Sequence, residues 1–406
     1  MRLARPTTEP WLAPELYWPA LAGATAALGT PFGTIDAAAL AFNAHDMLRR
    51  AQGIPIRIAS KSVRVRGVID AVLQLPGYRG VLAYTLAEAL WLAETIDDVV
   101  VGYPSVDRSS IVALGNSPLL AGRVTIMVDS IEQLDIVDAV LPPARRENIR
   151  VCIELNASWN SRMLGYLGVF RSPVFTVDQA VALARAVVAR PGFILVGLMA
   201  YESQIAGVVN RPAGRPARAR IVDWVQKNSG EELIRRRGEV VGAVREIAEL
   251  EFVNGGGTGS LELTASDSSV TEVAAGSGLF GPHLFDGYSH FQPAPAAAFA
   301  LSVVRKPTPE MATLLGGGWI ASGPPALDRL PQPVWPTGLG FVAREMVGEV
   351  QTPLTGASAL SVGDRVWMRH TKAGELSEHV NEFAIVVDEQ VTEMMPTYRG
   401  EGKAFL

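Results

Sequence analysis

The chain lacks the residues on which several common kinds of site depend. A single cysteine, Cys152, occurs among 406 residues. One thiol cannot form an internal disulfide, nor can it build a zinc site that needs several cysteines. Because disulfides are rare in reducing compartments, a chain with so little cysteine is expected to be cytoplasmic.

Long apolar segments and a basic face are lacking as well. No apolar run reaches the roughly 20 residues of a membrane-spanning helix. The N-terminal residues carry acidic side chains and prolines rather than the apolar core of a signal peptide. The net charge is −5, whereas binding to nucleic acid needs a basic surface. We therefore expect a soluble protein that binds neither nucleic acid nor a membrane.

Lysine is scarce in comparison with arginine. Of the 36 basic residues only five are lysines, which are Lys61, Lys227, Lys306, Lys372 and Lys403. Arginine stays protonated in proteins. Chemistry that needs a neutral amine is therefore restricted to five side chains.

Short β-branched segments alternate with Ala- and Leu-rich segments over the first 290 residues. The β-branched segments are mostly apolar rather than alternating, as in strands that are buried on both faces. A doubly wound open sheet uses the same alternation, but eight strands with helices between them favour a (β/α)8 TIM-type barrel. The predicted strands lie near 56–60, 80–83, 98–101, 124–128, 150–155, 194–198, 251–254 and 271–275.

The character of the chain changes after residue 291, where prolines, glycines and short apolar runs replace the helical pattern. This change predicts a barrel domain over 36–291 and a mostly β domain over 292–406, with the segment 1–35 packed on one of them. A helix over 36–52 is predicted to precede the first strand, with Thr34 as its N-cap. Further helices are predicted at 62–76, 85–95, 107–115, 130–140, 177–190 and 220–249.

One of the five lysines, Lys61, directly follows the first predicted strand. Active sites of TIM barrels lie at the C-terminal ends of the strands. A lysine amine placed there can attack an aldehyde as a nucleophile. The alternative is a surface lysine at a strand end, and the residue by itself does not distinguish the two.

Two glycine-rich segments, 254–260 and 274–281, follow the seventh and eighth predicted strands. Glycine lets the backbone approach an anion, and backbone amides and hydroxyl groups can donate to a phosphate. Loops after these two strands often hold phosphate in TIM barrels. Either segment alone is typical of a simple turn, but both together with Lys61 predict a phosphate site. Neither a dinucleotide-binding GxGxxG turn nor a Walker loop is present.

Other polar residues are weaker candidates. Tyr201 follows the sixth predicted strand, where its ring could pack beside a planar cofactor or simply fill the strand end. His370 and His379 flank acidic residues, among them Glu375, in the segment MRHTKAGELSEHVNE. Such a group can bind a divalent metal or assist proton transfer, or it can form a solvated turn.

These features, in this order, resemble the D-threonine aldolase and D-serine dehydratase family, whose members are pyridoxal 5'-phosphate enzymes with the alanine racemase-like fold. The segment RIASK keeps the arginine and lysine of the family's first-strand motif without its Pro-His pair, and GGGTG matches the phosphate loop without a gap. The tyrosine after the family's Gly-Leu-x-Ala strand end matches Tyr201. Further matches are EVAAGS at 272–277, DGY at 286–288 and GDRV at 363–366.

The resemblance spans 31–385 and implies a fold-type III barrel with a C-terminal β domain, assembled as a homodimer. It implies a lyase that acts on D-3-hydroxy amino acids, either an aldolase or a dehydratase (deaminase), with Lys61 in a Schiff base (aldimine) with pyridoxal 5'-phosphate. Candidates for the acid or base at the 3-hydroxyl are His370, Lys372, Glu375 and His379. The remaining implied cofactor-binding residues are Tyr201, Gly256, Gly257, Thr258, Gly259, Gly276 and Ser277.

Members of this family that bind a divalent metal carry a His-x-Cys or His-x-Asp pair soon after Gly-Asp-Arg-Val. The aligned pair here is Ala373 and Glu375, so the histidine is missing. His370 is the candidate to replace it. A Zn²⁺, Mn²⁺ or Mg²⁺ ion held by His370 and Glu375 is therefore one alternative, and a metal-free enzyme is the other.

Two other functions stay open. An amino-acid racemase of this fold typically takes a second base, a tyrosine, from the partner's C-terminal domain, but no tyrosine lies between Tyr288 and Tyr398. A non-catalytic, cofactor-carrying regulatory protein of the same fold is usually a single domain, whereas 115 residues follow the predicted barrel here.

Overall fold

The computed structural model describes residues 1–212, 214–324, 326–372 and 374–406. Its α-helices are α1 Pro14–Ala24, α2 Ala37–Arg50, α3 Arg66–Leu73, α4 Leu86–Leu92, α5 Arg108–Gly115, α6 Pro118–Arg123, α7 Ile131–Val140, α8 Val177–Ala189, α9 Ser203–Ala206, α10 Pro216–Arg245, α11 Leu261–Ala265 and α12 Ser277–Phe280. Its strands are β1 Phe32–Asp36, β2 Ile56–Ala59, β3 Tyr78–Ala83, β4 Val99–Pro104, β5 Val124–Val128, β6 Ile149–Glu154, β7 Trp159–Ser161, β8 Gly165–Leu167, β9 Phe193–Ala200, β10 Phe252–Gly255, β11 Glu272–Ala275, β12 Ala297–Thr308, β13 Met311–Leu315, β14 Gln332–Trp335, β15 Gly340–Phe341, β16 Gln351–Thr355, β17 Arg365–Arg369, β18 Glu382–Val387 and β19 Gln390–Pro396.

The chain divides into two compact units. The unit that we call the barrel unit consists of Met47–Lys61, Pro76–Ala275 and Phe405–Leu406. The unit that we call the β unit consists of Met1–Asp46, Ser62–Leu75 and Gly276–Ala404. None of the helices in the described ranges combines the length and the apolar character needed to cross a membrane.

Eight parallel strands close the barrel unit, in the order β2, β3, β4, β5, β6, β9, β10 and β11, and β11 pairs again with β2. The predicted TIM-type barrel is therefore confirmed. Five consecutive residues of β5 are buried, as expected for a strand covered on both faces. Residues that pack together in the core are Val100, Met127, Cys152, Val196, Met199 and Phe252.

A charged cluster lies among these apolar strands. Arg57, on β2, is only 1% exposed. Its guanidinium donates to Glu272 on β11 at 2.7 and 2.9 Å and to Asp98 at 2.8 and 2.9 Å. Burial by itself lowers the pKa of Arg57, but Glu272 and Asp98 raise it overall. The arginine is thus a charged cross-link between β2, β11 and the start of β4.

The β unit contains a nine-stranded sheet, and most of its strands come from the C-terminal part of the chain. The predicted mostly β second domain is therefore confirmed. Its central path runs β15, β16, β13, β12, β1, β18 and β19. The N-terminal strand β1 pairs antiparallel with β12 and parallel with β18.

The prediction that Thr34 caps the first long helix is wrong. Thr34 lies inside β1, where its neighbours pair with strands on both sides. The extended segment continues to Asp36, whose carboxylate accepts the backbone N–H groups of Ala38 at 2.9 Å and Ala39 at 3.3 Å. Asp36 is thus the capping residue, because the strand ends there and α2 begins one residue later.

Candidate active site

Lys61 lies in a single 3₁₀ turn, Ser60–Ser62, directly after β2. Its position at the C-terminal end of the first barrel strand is therefore as predicted. Its Nζ donates a hydrogen bond of 2.9 Å to the Oη of Tyr103, near the end of β4. A hydrogen bond of this length fixes the direction of the amine.

Arg171 joins two aromatic residues at the ends of strands. Its guanidinium carbon lies 5.3 Å from the ring centroid of Tyr103 and 5.3 Å from that of Tyr201, which follows β9. Such distances are typical of cation–π contacts. Burial raises the pKa of Tyr201 to about 12, so its phenol is neutral at pH 7. The positive charge of Arg171 therefore lies beside the aromatic rings of Tyr103 and Tyr201.

Two acidic residues lie at the ends of β5 and β6, which are adjacent strands of the barrel. Glu154 ends β6 and is 4% exposed, and Asp129 follows β5. Burial raises the pKa of Glu154 to about 7, Arg171 opposes that rise and Asp129 adds to it. Burial also raises the pKa of Asp129. A buried carboxyl with a pKa near neutrality at a strand end can both accept and release a proton at pH 7.

The raised pKa of Glu154 predicts a dependence of stability on pH. Between the ordinary value of 4.5 and about 7 the native state binds more protons than the unfolded state. The free energy of unfolding should therefore fall as pH rises through this window, by about 3 kcal/mol from this residue. We expect urea unfolding at pH 5 and pH 8 to show this loss in the parent but not in Glu154→Gln, which has no carboxyl to titrate. An equal loss in both proteins would contradict the assignment.

Residues 255–260, which we call the glycine loop, begin with the last residue of β10. Gly256 has φ of +85°, in the left-handed region that favours glycine. A Cβ atom at Gly257 would come within 2.9 Å of the Ala206 Cβ and 3.1 Å of a Tyr201 ring carbon. Glycine at these two positions thus allows the loop to lie against the Tyr201 ring.

The barrel order places the glycine loop and Lys61 at the same end of nearby strands. Only β11 separates β10 from β2. Neighbouring strands are about 4.8 Å apart, so the ends of β10 and β2 are roughly 10 Å apart. An amine and a loop of amide and hydroxyl donors therefore lie near each other on this face of the barrel.

The other predicted cofactor-binding residues, Gly276 and Ser277, belong to the β unit. Gly276 directly follows β11 in the chain, and Ser277 begins α12. Their role stays a prediction.

The predicted C-terminal site residues also belong to the β unit. His370 is 2% exposed and meets the ring of Phe280 edge-on. The Glu375 Oε1 accepts the backbone N–H groups of Thr371 at 2.9 Å and Lys372 at 2.7 Å. His379 stacks on Trp319, with ring centroids 4.8 Å apart.

The surroundings of both histidines favour the neutral imidazole. Burial lowers the pKa of His370 to about 4 and also lowers that of His379. Within the part of the chain that the structure describes, no three His, Cys, Asp or Glu side chains form a group that could hold a metal. Ala373 lies outside the described residues. We derive no step through a metal, and the roles of His370, Glu375 and His379 stay predictions.

Several residues of this face were not predicted. Tyr103 lies near the end of β4 and Glu154 ends β6, and both strands were predicted, so polar residues at or near predicted strand ends were a usable signal. Arg171 gave no such signal. It lies in the long segment between β6 and α8, after a short hairpin of β7 and β8 that was not predicted. Glu202 follows Tyr201 and was not singled out either.

The sequence model described as alanine racemase, N-terminal domain, matches residues 35–283. A D-threonine aldolase from Arthrobacter sp is 28% identical over 265 residues, which is 62% of this chain and 62% of that aldolase. A 3-hydroxy-D-aspartate aldolase from Paracoccus denitrificans is 28% identical over 240 residues, which is 58% of this chain and 54% of that protein. The chain thus aligns with less than two thirds of the length of either relative.

Two solved structures are similar over most of the chain. That of a D-threonine aldolase from Filomicrobium marinum has a TM-score of 0.74 at 22% identity and covers 92% of this chain and 95% of its own. That of a D-threo-3-hydroxyaspartate dehydratase from Delftia sp. HT23 has a TM-score of 0.68 at 19% identity, with 91% and 97% covered. At these identities the similarity shows the fold alone.

Proposed function

The chain belongs to the alanine racemase N-terminal domain family, and from this premise we propose that it is a pyridoxal 5'-phosphate-dependent lyase acting on D-3-hydroxy amino acids. The observation that carries the proposal is that the Lys61 amine and the glycine loop lie at the same end of nearby barrel strands. The aldolases among its relatives support the reaction class. We further propose a cytoplasmic homodimer.

The residues of the barrel unit fit the cofactor. Lys61 would hold the cofactor through its amine, which Tyr103 orients. The glycine loop would receive the phosphate, because glycine at 256 and 257 keeps side chains off its backbone, and backbone N–H groups and the Thr258 hydroxyl can donate. The Tyr201 ring would line the site. When bound, pyridoxal 5'-phosphate supplies an electron sink for bond breaking next to the amino group.

The charged residues of this face suit an amino-acid substrate. Arg171 would attract and orient the substrate carboxylate, because a guanidinium binds carboxylates in a planar, bidentate manner. Glu154 would hold or release a proton at the 3-hydroxyl, since its pKa of about 7 allows both states near neutrality. The predicted candidates His370, Glu375 and His379 compete with Glu154 for this role.

The reaction is tested by product analysis with D-threonine, D-serine and D-3-hydroxyaspartate, each supplied with pyridoxal 5'-phosphate and compared with its L-enantiomer. Glycine and an aldehyde would indicate aldol cleavage, whereas ammonia and a keto acid would indicate dehydration. We expect one of these product pairs from the D-enantiomers only.

Two results would contradict the proposal. Interconversion of D- and L-enantiomers without cleavage would indicate a racemase. Absence of turnover with any of these amino acids, in protein that retains the cofactor, would indicate a non-catalytic cofactor-binding protein.

A further inference from the structure

A single buried carboxylate, that of Glu202, connects both ends of the glycine loop. Glu202 is fully buried. Its Oε2 accepts the backbone N–H of Gly256 at 3.2 Å, near the start of the loop. Its Oε1 accepts the hydroxyl of Ser260 at 3.2 Å, at the end of the loop, and also the hydroxyl of Thr264. The residues between, 257–259, are therefore held as an arc with a fixed base.

Arg237 lies next to the Glu202 carboxylate and balances part of its charge. Arg237 Nη1 lies 3.7 Å from Glu202 Oε2, and Arg237 Nε lies 2.7 Å from Asp267 Oδ2. All three side chains are at most 2% exposed. Two carboxylates therefore share one arginine, and negative charge remains below a loop that has the shape of an anion site. Charge alone would make Glu202 unfavourable for binding a phosphate.

A second anchor fixes the middle of the arc. Arg50 Nη2 donates to the carbonyl oxygen of Thr258 at 2.6 Å, and the same guanidinium is held by Glu262 at 2.6 and 2.9 Å. In a trans peptide the carbonyl and the following N–H point in opposite directions. The N–H of Gly259 therefore points away from Arg50.

We propose that Glu202 is a positioning residue for the phosphate group of the cofactor. The inference rests on the proposed function, because it takes the ligand of the glycine loop to be pyridoxal 5'-phosphate. Glu202 acts by fixing the backbone of the loop. It accepts the Gly256 N–H and the Ser260 hydroxyl, so that the donors of residues 257–259 keep one arrangement. This gain in preorganisation outweighs the repulsion between its carboxylate and the phosphate.

The test compares two aldehydes that differ only in the phosphate. The parent protein, Glu202→Ala and Glu202→Gln are stripped of cofactor and titrated with pyridoxal 5'-phosphate and with pyridoxal. Occupancy is measured by mass spectrometry after borohydride trapping. We expect Glu202→Ala to bind pyridoxal 5'-phosphate about 30-fold more weakly, since several buried hydrogen bonds are lost, while its affinity for pyridoxal changes less than about threefold. Glu202→Gln keeps one acceptor oxygen and should lose about three- to tenfold.

A matched control is Glu88→Gln. Glu88 is also a fully buried glutamate that accepts a backbone N–H after a barrel strand, that of Tyr84 at 2.7 Å, but it lies on α4, which follows β3 rather than β10. The affinity of Glu88→Gln for both aldehydes should match that of the parent, even if the melting temperature of this variant changes. If Glu202→Ala does not fold, Thr264→Val is the second variant, because it removes one of the hydroxyl donors to Glu202. It should lower the affinity for pyridoxal 5'-phosphate by about threefold and leave the affinity for pyridoxal unchanged.

Three results would overturn the inference while leaving the proposed function intact. The first is unchanged binding of pyridoxal 5'-phosphate in Glu202→Ala and Thr264→Val. The second is an equal loss for both aldehydes. The third is tighter binding in Glu202→Gln than in the parent, which would mean that charge outweighs position. A parent protein that traps neither aldehyde would instead contradict the proposed function itself.

Discussion

Replacement of Lys61 by alanine should remove all covalently retained cofactor and lower lyase activity by roughly a thousandfold or more. The reason is that, of the five lysines, all of which lie in the described ranges, Lys61 alone directly follows a barrel strand. We expect the parent protein to keep the cofactor through borohydride reduction and denaturation, and Lys61→Ala to lose it. Absorbance and intact mass measure the difference.

The matched control is Lys227→Ala, which removes an amine from helix α10. That variant should keep both the cofactor and the activity. Cofactor retention in Lys61→Ala that equals the parent's would show that another amine holds the cofactor, and would remove the main support for the assigned site.

Replacement of Arg57 by methionine should lower the free energy of unfolding by about 3–5 kcal/mol. Arg57 compensates Glu272 and Asp98, and Glu272 is only 3% exposed. Methionine has a similar volume but no charge, so the Glu272 carboxylate would be left buried without its cation. Chemical denaturation at pH 7 measures the change. Arg150→Met is the control, because the Arg150 and Glu251 side chains are 23% and 48% exposed, so this solvated pair should contribute less than about 1 kcal/mol.

The sign of the pH dependence of Arg57→Met follows from the same contact. Without the arginine, the folded protein would favour protonated Glu272 more strongly than the unfolded chain does. The native state would then bind the additional proton, so the stability of the variant should decrease as pH rises. The deficit relative to the parent should be smaller at pH 5 than at pH 8. A deficit that does not vary with pH would indicate lost packing rather than an uncompensated charge.

The barrel could be predicted because its signal is local. The barrel strands are short, mostly apolar runs bounded by turn-forming residues, because burial on both faces disfavours polar residues in them. The strand β1 was missed for the opposite reason. Its partners β12 and β18 lie more than 250 residues further along the chain, and five residues at the end of a proline-bearing segment carry no periodicity that identifies them.

The same distinction applies to the candidate site. Lys61 and the glycine loop were found because each is attached to a predicted strand end. Tyr103 and Glu154 needed only the further step of examining the other strand ends. Arg171 could not be found in this way, because its contacts with Tyr103 and Tyr201 depend on how the segment after β6 folds back, and that depends on tertiary packing.

The pairing of β1 has a consequence for the order in which the protein can fold during synthesis. All eight barrel strands lie between residues 56 and 275, so they leave the ribosome as one continuous stretch. The strand β1 emerges before them, yet its two partners begin only at residues 297 and 382. Throughout translation of the barrel, the edges of β1 are therefore exposed to wrong partners. The pairing of β1 is thus completed only after the whole barrel has been made, and a chaperone that shields residues 32–36 would protect an unpaired strand of the nascent protein.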